Sequence, residues 1–276
     1  MASETHAADG TVQVDFIGHI LDKPYLEVPL LNAHHYLDGK IPLPQFEPIF
    51  GIDLSITRHV FMMWVAGALL ISLMLIAFRR SSLVPSGLGN FFEAIVLFIR
   101  DDVVLPIMGE HGRPFLPYML TIFFFILFCN LIGLVPYSAT ATGNINVTAG
   151  LAVCTFILTQ VTGIANNGLF GYLKHLSPPG VPLALAPLLV LVELMGLFIK
   201  PLALCIRLFA NMTAGHLIIV VALGFTIVFQ TLWLAPISVA FAAAIYLLEI
   251  FIAFVQAYIF TLLSAIFISM AAHPDH

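Results

Sequence analysis

The chain predicts an all-α, polytopic membrane protein with about five to six membrane helices. Three observations carry that expectation. Hydrophobic residues fill 61% of the 276 positions and charged residues 9%, against about 25% charged in soluble domains, and mean hydropathy is +1.05. The apolar residues come in runs that match the ~20 residues a crossing helix needs, separated by polar or Pro/Gly breaks. The last two runs, 183–229 and 237–270, exceed one perpendicular crossing of about 30 Å at about 1.5 Å per residue. They are expected to be strongly tilted, bent or partly interfacial, with Pro187 and Pro201 as places for bending.

Residues 1–57 are mixed in character and carry Pro24, Pro29, Pro42, Pro44 and Pro48. They read as an N-terminal extramembrane arm with short helical pieces, ahead of a membrane domain over 58–276. The first span runs from about Val60 to Phe78, closed by Arg79 and Arg80. Leu88 to Met108 holds Glu93, Arg100, Asp101 and Asp102 among Phe and Leu. It is too charged to span and amphipathic enough to lie at the interface. The second span covers about Leu116 to Leu134, ending at Pro136, and the third about Val147 to Leu169. SPPGVP at 177–182 is a turn, and Thr231 to Pro236 breaks the two long runs.

Lys and Arg in short loops set orientation. Spans alternate without conflict if Arg79, Arg80, Arg100, Arg113 and Lys174 share the cytoplasmic side. The arm then lies outside and the AAHPDH tail inside. The N-terminus, MASETHAADG, has no basic region and does not read as a signal peptide. Cys129, Cys154 and Cys205 lie in apolar runs without CxxC spacing and read as small buried hydrophobes. The net charge of −5 comes largely from acids in the first 53 residues, and no basic tract points to nucleic acid. GxxxxGK[ST], a nucleophile elbow, HExxH and a Cys/His zinc pattern are all missing from the sequence. Chemistry by this chain alone, a cofactor and a metal site are therefore not expected, and His34 and His35 read as solvated.

The functional signal is a set of ionisable residues inside apolar runs. Arg207 is the sharpest, because a guanidinium stays charged and costs at least ~2.5–3.5 kcal/mol near a bilayer midplane. Glu193, Lys200 and Arg207 recur every seventh residue and share one helix stripe, which Asn211 joins four residues on. His216 lies about 180° round and roughly 13 Å further along the axis. Glu249 and Gln256 share a face of the last helix, with Tyr246 one turn earlier. His216 and Glu249 can meet across a helix pair, which would lower the cost of burying either. Each residue also has a structural alternative. Lys200 can snorkel, Glu193 can be a protonated structural acid, and Asn211 and Gln256 can be helix-to-helix glue. TGNINVT at 142–148 reads as a loop into a capped helix, whose amides Asn144 and Asn146 can also line a hydrated entrance.

KPLALCIRLFANMTAGHLI resembles the signature of subunit a of F-type ATP synthases. FCNLIGLVPYS with TGNINVT, LSPPGVPLALAPLLVLVEL and EIFIAFVQAYIFTLLSAIFISMA extend the resemblance from about residue 45 to the C-terminus. The resemblance implies a stator proton channel with two offset half-channels, its last two helices tilted against a ring of c subunits that each carry a membrane carboxylate. It assigns Arg207 the role of the essential arginine. Asn211, His216, Glu249 and Gln256 match polar positions flanking the proton route, and Glu193 matches an acid upstream. His216 and Glu249 are exchanged relative to relatives with an acid and a histidine at those places. Asn144 and Asn146, and with them Lys200 and Tyr246, are the remaining candidates for lining the half-channels. Polar side chains on the second and third spans are candidates for the inner exit. Implied partners are the c-ring, the b-subunit peripheral stalk, the remaining synthase subunits and membrane lipid. The implied location is the bacterial inner membrane. A secondary cation/proton antiporter is the alternative from another class, but the inverted repeats of that class are not visible. A purely structural scaffold is a third.

Overall fold

The computed structural model describes residues 4–6, 12–14, 23–27, 40–45, 55–79, 87–135, 138–175, 186–229 and 235–272. Four short strands come first: β1 (Glu4–His6), β2 (Val12–Val14), β3 (Tyr25–Glu27) and β4 (Lys40–Pro42). They pair antiparallel as β1–β2 and β3–β4. The helices are α1 (Arg58–Ala77), α2 (Leu88–Phe98), α3 (Leu105–Met108), α4 (Leu116–Gly133), α5 (Ile145–His175), α6 (Ala186–Phe229) and α7 (Ala235–Ala272). A π-helical turn (Ile99–Val104) joins α2 to α3, and a 3-10 segment (Gly109–Phe115) joins α3 to α4.

The arm departs from expectation. Its described residues form strands where short helices were expected, because alternating segments such as VQV and YLE favour a pleated pairing once a partner strand is available. Leu43 N–H donates to the Pro24 carbonyl (2.9 Å), extending the β3–β4 pairing, and Arg58 N–H at the start of α1 donates to the Lys23 carbonyl (3.1 Å). His34, His35, the 177–182 turn, Arg80, residues 231–234 and the HPDH end of the tail lie outside the described residues.

Five helical stretches are long and apolar enough to cross a membrane: Arg58–Ala77, Leu88–Gly133, Ile145–Gly168, Leu188–Ala222 and Pro236–Ala272. Their surfaces explain why they need one. Ile71, Leu75, Leu188, Leu247 and Phe251 are each more than half exposed, an amount of apolar surface that water does not tolerate without aggregation. Gly168, at φ 70°, ψ 162°, breaks α5 near the expected end of the third span. Only glycine adopts that backbone at little cost. α6 continues through Pro201, and Pro187 sits in its first turn, where the missing N–H would be unsatisfied anyway. Cys129 and Cys205 are buried as expected, but Cys154 is exposed.

The Leu88–Met108 stretch is two-faced. Phe92, Ile99, Val103 and Val104 are buried, while Arg100, Asp101 and Asp102 are exposed. Arg100 pairs with Asp101 (Nε–Oδ1 2.7 Å), an exposed contact that contributes little stability.

The long helices contribute to two units. One comprises residues 1–69, 126–147 and 209–255, the other 70–125, 148–208 and 256–276. Polar side chains stitch helices inside the second unit. Tyr118 and Thr155 hydroxyls share a hydrogen bond (2.8 Å), and Thr155 lies 3.5 Å from Ser264 Oγ. Asn167 Nδ2 donates to the Ala271 carbonyl (3.1 Å), and Ser269 Oγ to that of Ile107 (3.0 Å). Such bonds between membrane helices contribute about 0.6 kcal/mol on average.

Candidate functional site

α6 and α7 carry most of the intramembrane ionisable residues, and their helical period separates an outward from an inward set. Glu193, Arg207 and Asn211 are exposed on α6, as the seven-residue stripe requires. Ala203, Ala210 and Ala214 are exposed near Arg207 on the same helix. Small side chains there leave the guanidinium standing above the helix surface, and no hydrogen bond or ion pair joins it to another described residue. Lys200 is half-buried with Nζ 5.8 Å from the centre of the Phe267 ring, a cation–π contact that gives it a packing role.

Glu249 and Gln256 form the inward set, at 2% and 1% exposure. Glu249 faces Gly215 of α6. A Cβ built on Gly215 would run into the Glu249 carboxyl group. The glycine therefore makes the recess in which that carboxyl sits. Both Glu249 oxygens are buried without a hydrogen-bond partner among the described residues. A buried carboxyl without a donor is costly as an anion.

His216 does not hydrogen-bond Glu249. It lines a different space, a cavity of about 20 Å³ shared with His59, Ser138, Ala139, Thr140, Gly143, Met212 and Thr213. The Glu249 carboxyl sits against Gly215, and the imidazole of the next residue lines the cavity.

Tyr246 is half-buried, and its hydroxyl donates to the Leu134 carbonyl (3.0 Å), holding α7 to the end of α4. Tyr246→Phe is expected to lower stability by about 0.6 kcal/mol, and by no more than about 1.7, with thermal unfolding of the purified complex as the measurement. Asn144 caps α5, its Oδ1 accepting the Asn146 N–H (2.9 Å). Thr142 Oγ1 donates to Asn130 Oδ1 (2.6 Å), both fully buried. The 138–144 segment is therefore pinned from several sides.

Thr213, Gly215, Asn130 and Thr142 lie in motifs quoted above but were given no role of their own, and His59 was not singled out. A glycine one residue before a membrane histidine was a usable signal for Gly215. His59 offered only its place at the start of an apolar run.

A mostly helical chain with five long apolar helices, a guanidinium exposed on one of them and a carboxyl buried on another, defines the class: a polytopic membrane protein. The family model described as ATP synthase A chain matches residues 60–269. ATP synthase subunit a of Chloroherpeton thalassium is 53% identical over 258 residues, covering 88% of this chain and 77% of that protein. The subunit a of Myxococcus xanthus is 48% identical over 285 aligned positions, covering 93% and 94%. The chain belongs to the ATP synthase A chain family.

Proposed function

We propose that this chain is the stator proton-channel subunit of an F-type ATP synthase, a channel component that catalyses no reaction alone. The observation that carries the reading is Arg207, exposed among small residues on a membrane helix and joined to no described residue. A permanent charge in that position calls for a partner outside the chain. The family membership supports a carboxylate on a ring of c subunits as that partner.

The mechanism follows from electrostatics. Arg207 remains cationic while a ring carboxylate gives up its proton, and stabilises the anion as it passes. The same charge repels a proton that would slip between two offset half-channels without rotation. Glu249, recessed against Gly215, exchanges protons on the outer route, with His216, Gln256 and Asn211 as relay or solvating groups and Glu193 upstream on α6. Tyr246, Asn144 and Asn146 shape the outer lining, while Lys200 packs on Phe267 within the other unit.

The membrane domain covers 58–276, with residues 1–57 as an arm outside it. The relatives named above are bacterial, which supports the bacterial inner membrane; the Lys/Arg pattern of the short loops supports the N-terminus outside and the C-terminus cytoplasmic. The apolar stretch of α6 runs 35 residues and that of α7 37, or roughly 52–56 Å at about 1.5 Å per residue. Both must tilt strongly in a ~30 Å core, which lays them along a ring. The two-faced Leu88–Met108 stretch lies at the interface. Partners are the c-ring, the b-subunit stalk, the remaining subunits and lipid.

The test is passive proton flux through membrane vesicles that hold the assembled complex stripped of its soluble sector. Glu249→Gln is expected to slow flux severalfold while the subunit stays at parental abundance, because an amide cannot release a proton. Parental flux in that variant removes Glu249 from the path. Co-purification with a small two-helix proteolipid bearing a midmembrane acid is the companion expectation.

A further inference from the structure

α5 does not end straight. Gly168 leaves the helical region (φ 70°, ψ 162°), and the chain turns back after it. Residues 160 and 172 would lie about 18 Å apart along a continuous helix, yet the Tyr172 hydroxyl donates to Gln160 Oε1 (2.5 Å). The Tyr172 ring also covers Gly163, where a Cβ would fall 2.6 Å from ring carbon Cε2. Gln160, Gly163 and Asn167 recur at i, i+3 and i+7 and so share one face of α5. Asn167 Nδ2 donates to the Gly163 carbonyl (3.0 Å) and the Ala271 carbonyl (3.1 Å), which brings the end of α7 to that face. All of these residues belong to the second unit.

Two features make the closed position one that can open. The hinge is a glycine at positive φ, free of the steric penalty that side chains meet there. Gln160 Nε2 is buried without a hydrogen-bond partner among the described residues, a cost that hydration on opening would remove. Tyr172 lies past the apolar stretch Ile145–Gly168, on the side assigned to the cytoplasm by the Lys/Arg pattern. Burial holds its hydroxyl above the ordinary tyrosine range, the bond to Gln160 pulls it down, and the Glu193 charge pushes it up. Glu193 of α6 therefore bears on the latch.

We propose that residues 169–175 are a flap, hinged at Gly168 and latched by Tyr172, whose opening admits cytoplasmic water to the Gln160 face of α5 and so to the inner end of the proton route. The flap stands on the geometry above; its link to the proton route rests on the channel reading. Closed, the Tyr172 ring shields Gly163 and the neighbouring Ala271, whose Cβ lies 3.4 Å from a Cβ built on Gly163. Open, it frees the Gln160 amide to hold water at the end of the helix that precedes α6.

The experiment reads the flap and the route separately. Ala271→Cys sets a thiol beside Gly163, to be reacted with a membrane-impermeant maleimide in inverted vesicles holding the assembled complex. Peptide mass spectrometry reads labelling at that site. Tyr172→Phe keeps the ring and removes the latching hydroxyl, and should speed this labelling severalfold. With Ala271 native and the soluble sector stripped, Tyr172→Phe should raise passive proton flux severalfold. Unchanged labelling overturns the flap. Faster labelling with parental flux overturns its link to the proton route. A merely structural role for Tyr172 gives slower flux without faster labelling, which overturns the proposal as well. If Tyr172→Phe fails to assemble, Gln160→Leu removes the latch from the other side and is read in the same way. Glu249→Gln keeps the two readings apart: parental flux there removes the channel, while the labelling result still decides the flap.

Discussion

Arg207→Ala is expected to abolish ATP-driven proton pumping in inverted vesicles while the complex still assembles. The two halves of that expectation come from different observations. Arg207 is exposed on α6 and makes no ion pair with a described residue, so its removal strands no buried partner inside the chain. Exposed substitutions of that kind usually change stability by no more than about 0.5 kcal/mol. The functional loss is large because a proton crossing 100 mV releases about 2.3 kcal/mol, and a leak between half-channels dissipates it without rotation. Arg207→Lys should also fail largely, since an ammonium can deprotonate in an apolar setting against a partner and lacks the planar fork of a guanidinium. Quenching of a pH-sensitive dye during ATP hydrolysis, with subunit abundance as the control, is the measurement. Parental pumping in Arg207→Ala would sink the mechanism.

Gly215→Val should slow passive proton flux severalfold and destabilise the subunit. The recess for the Glu249 carboxyl exists because position 215 has no side chain, and a Cβ there already collides with it. Helix propensity works the other way for the smaller change: Gly215→Ala gains about 1 kcal/mol as a better helix former. Overpacking typically costs about 1–3 kcal/mol, so the collision should win or at best break even for Ala and win clearly for Val. Shortening the acid should relieve it. Gly215→Ala combined with Glu249→Asp is expected to recover stability relative to Gly215→Ala alone, in thermal unfolding of the purified complex. Parental stability and flux in Gly215→Val would mean that the carboxyl does not sit against α6.

How far the sequence could be read depends on whether a feature is local. The first three spans were expected at Val60–Phe78, Leu116–Leu134 and Val147–Leu169, and the helices run Arg58–Ala77, Leu116–Gly133 and Ile145–Gly168 before the break in α5. Hydropathy sets those ends within a turn, since backbone groups in lipid must be satisfied inside their own helix. The stripe of Glu193, Arg207 and Asn211 was legible for the same reason: helical period alone places them on one face. The arm was not. Strands need partners, and Tyr25–Glu27 pairs with Lys40–Pro42 across an intervening segment that no local pattern specifies.

The sequence by itself determined a membrane-spanning helical protein, the ends of its first three spans to within a turn, and the helix stripe that carries Arg207. Those follow from composition and a 3.6-residue period, which act residue by residue. Only the tertiary structure decided that Glu249 packs on Gly215 and that His216 shares its cavity with His59. The Thr140 carbonyl reaches His59 across 81 residues. Contacts at that separation depend on how helices pack, and packing is settled by the shapes of all the side chains at once.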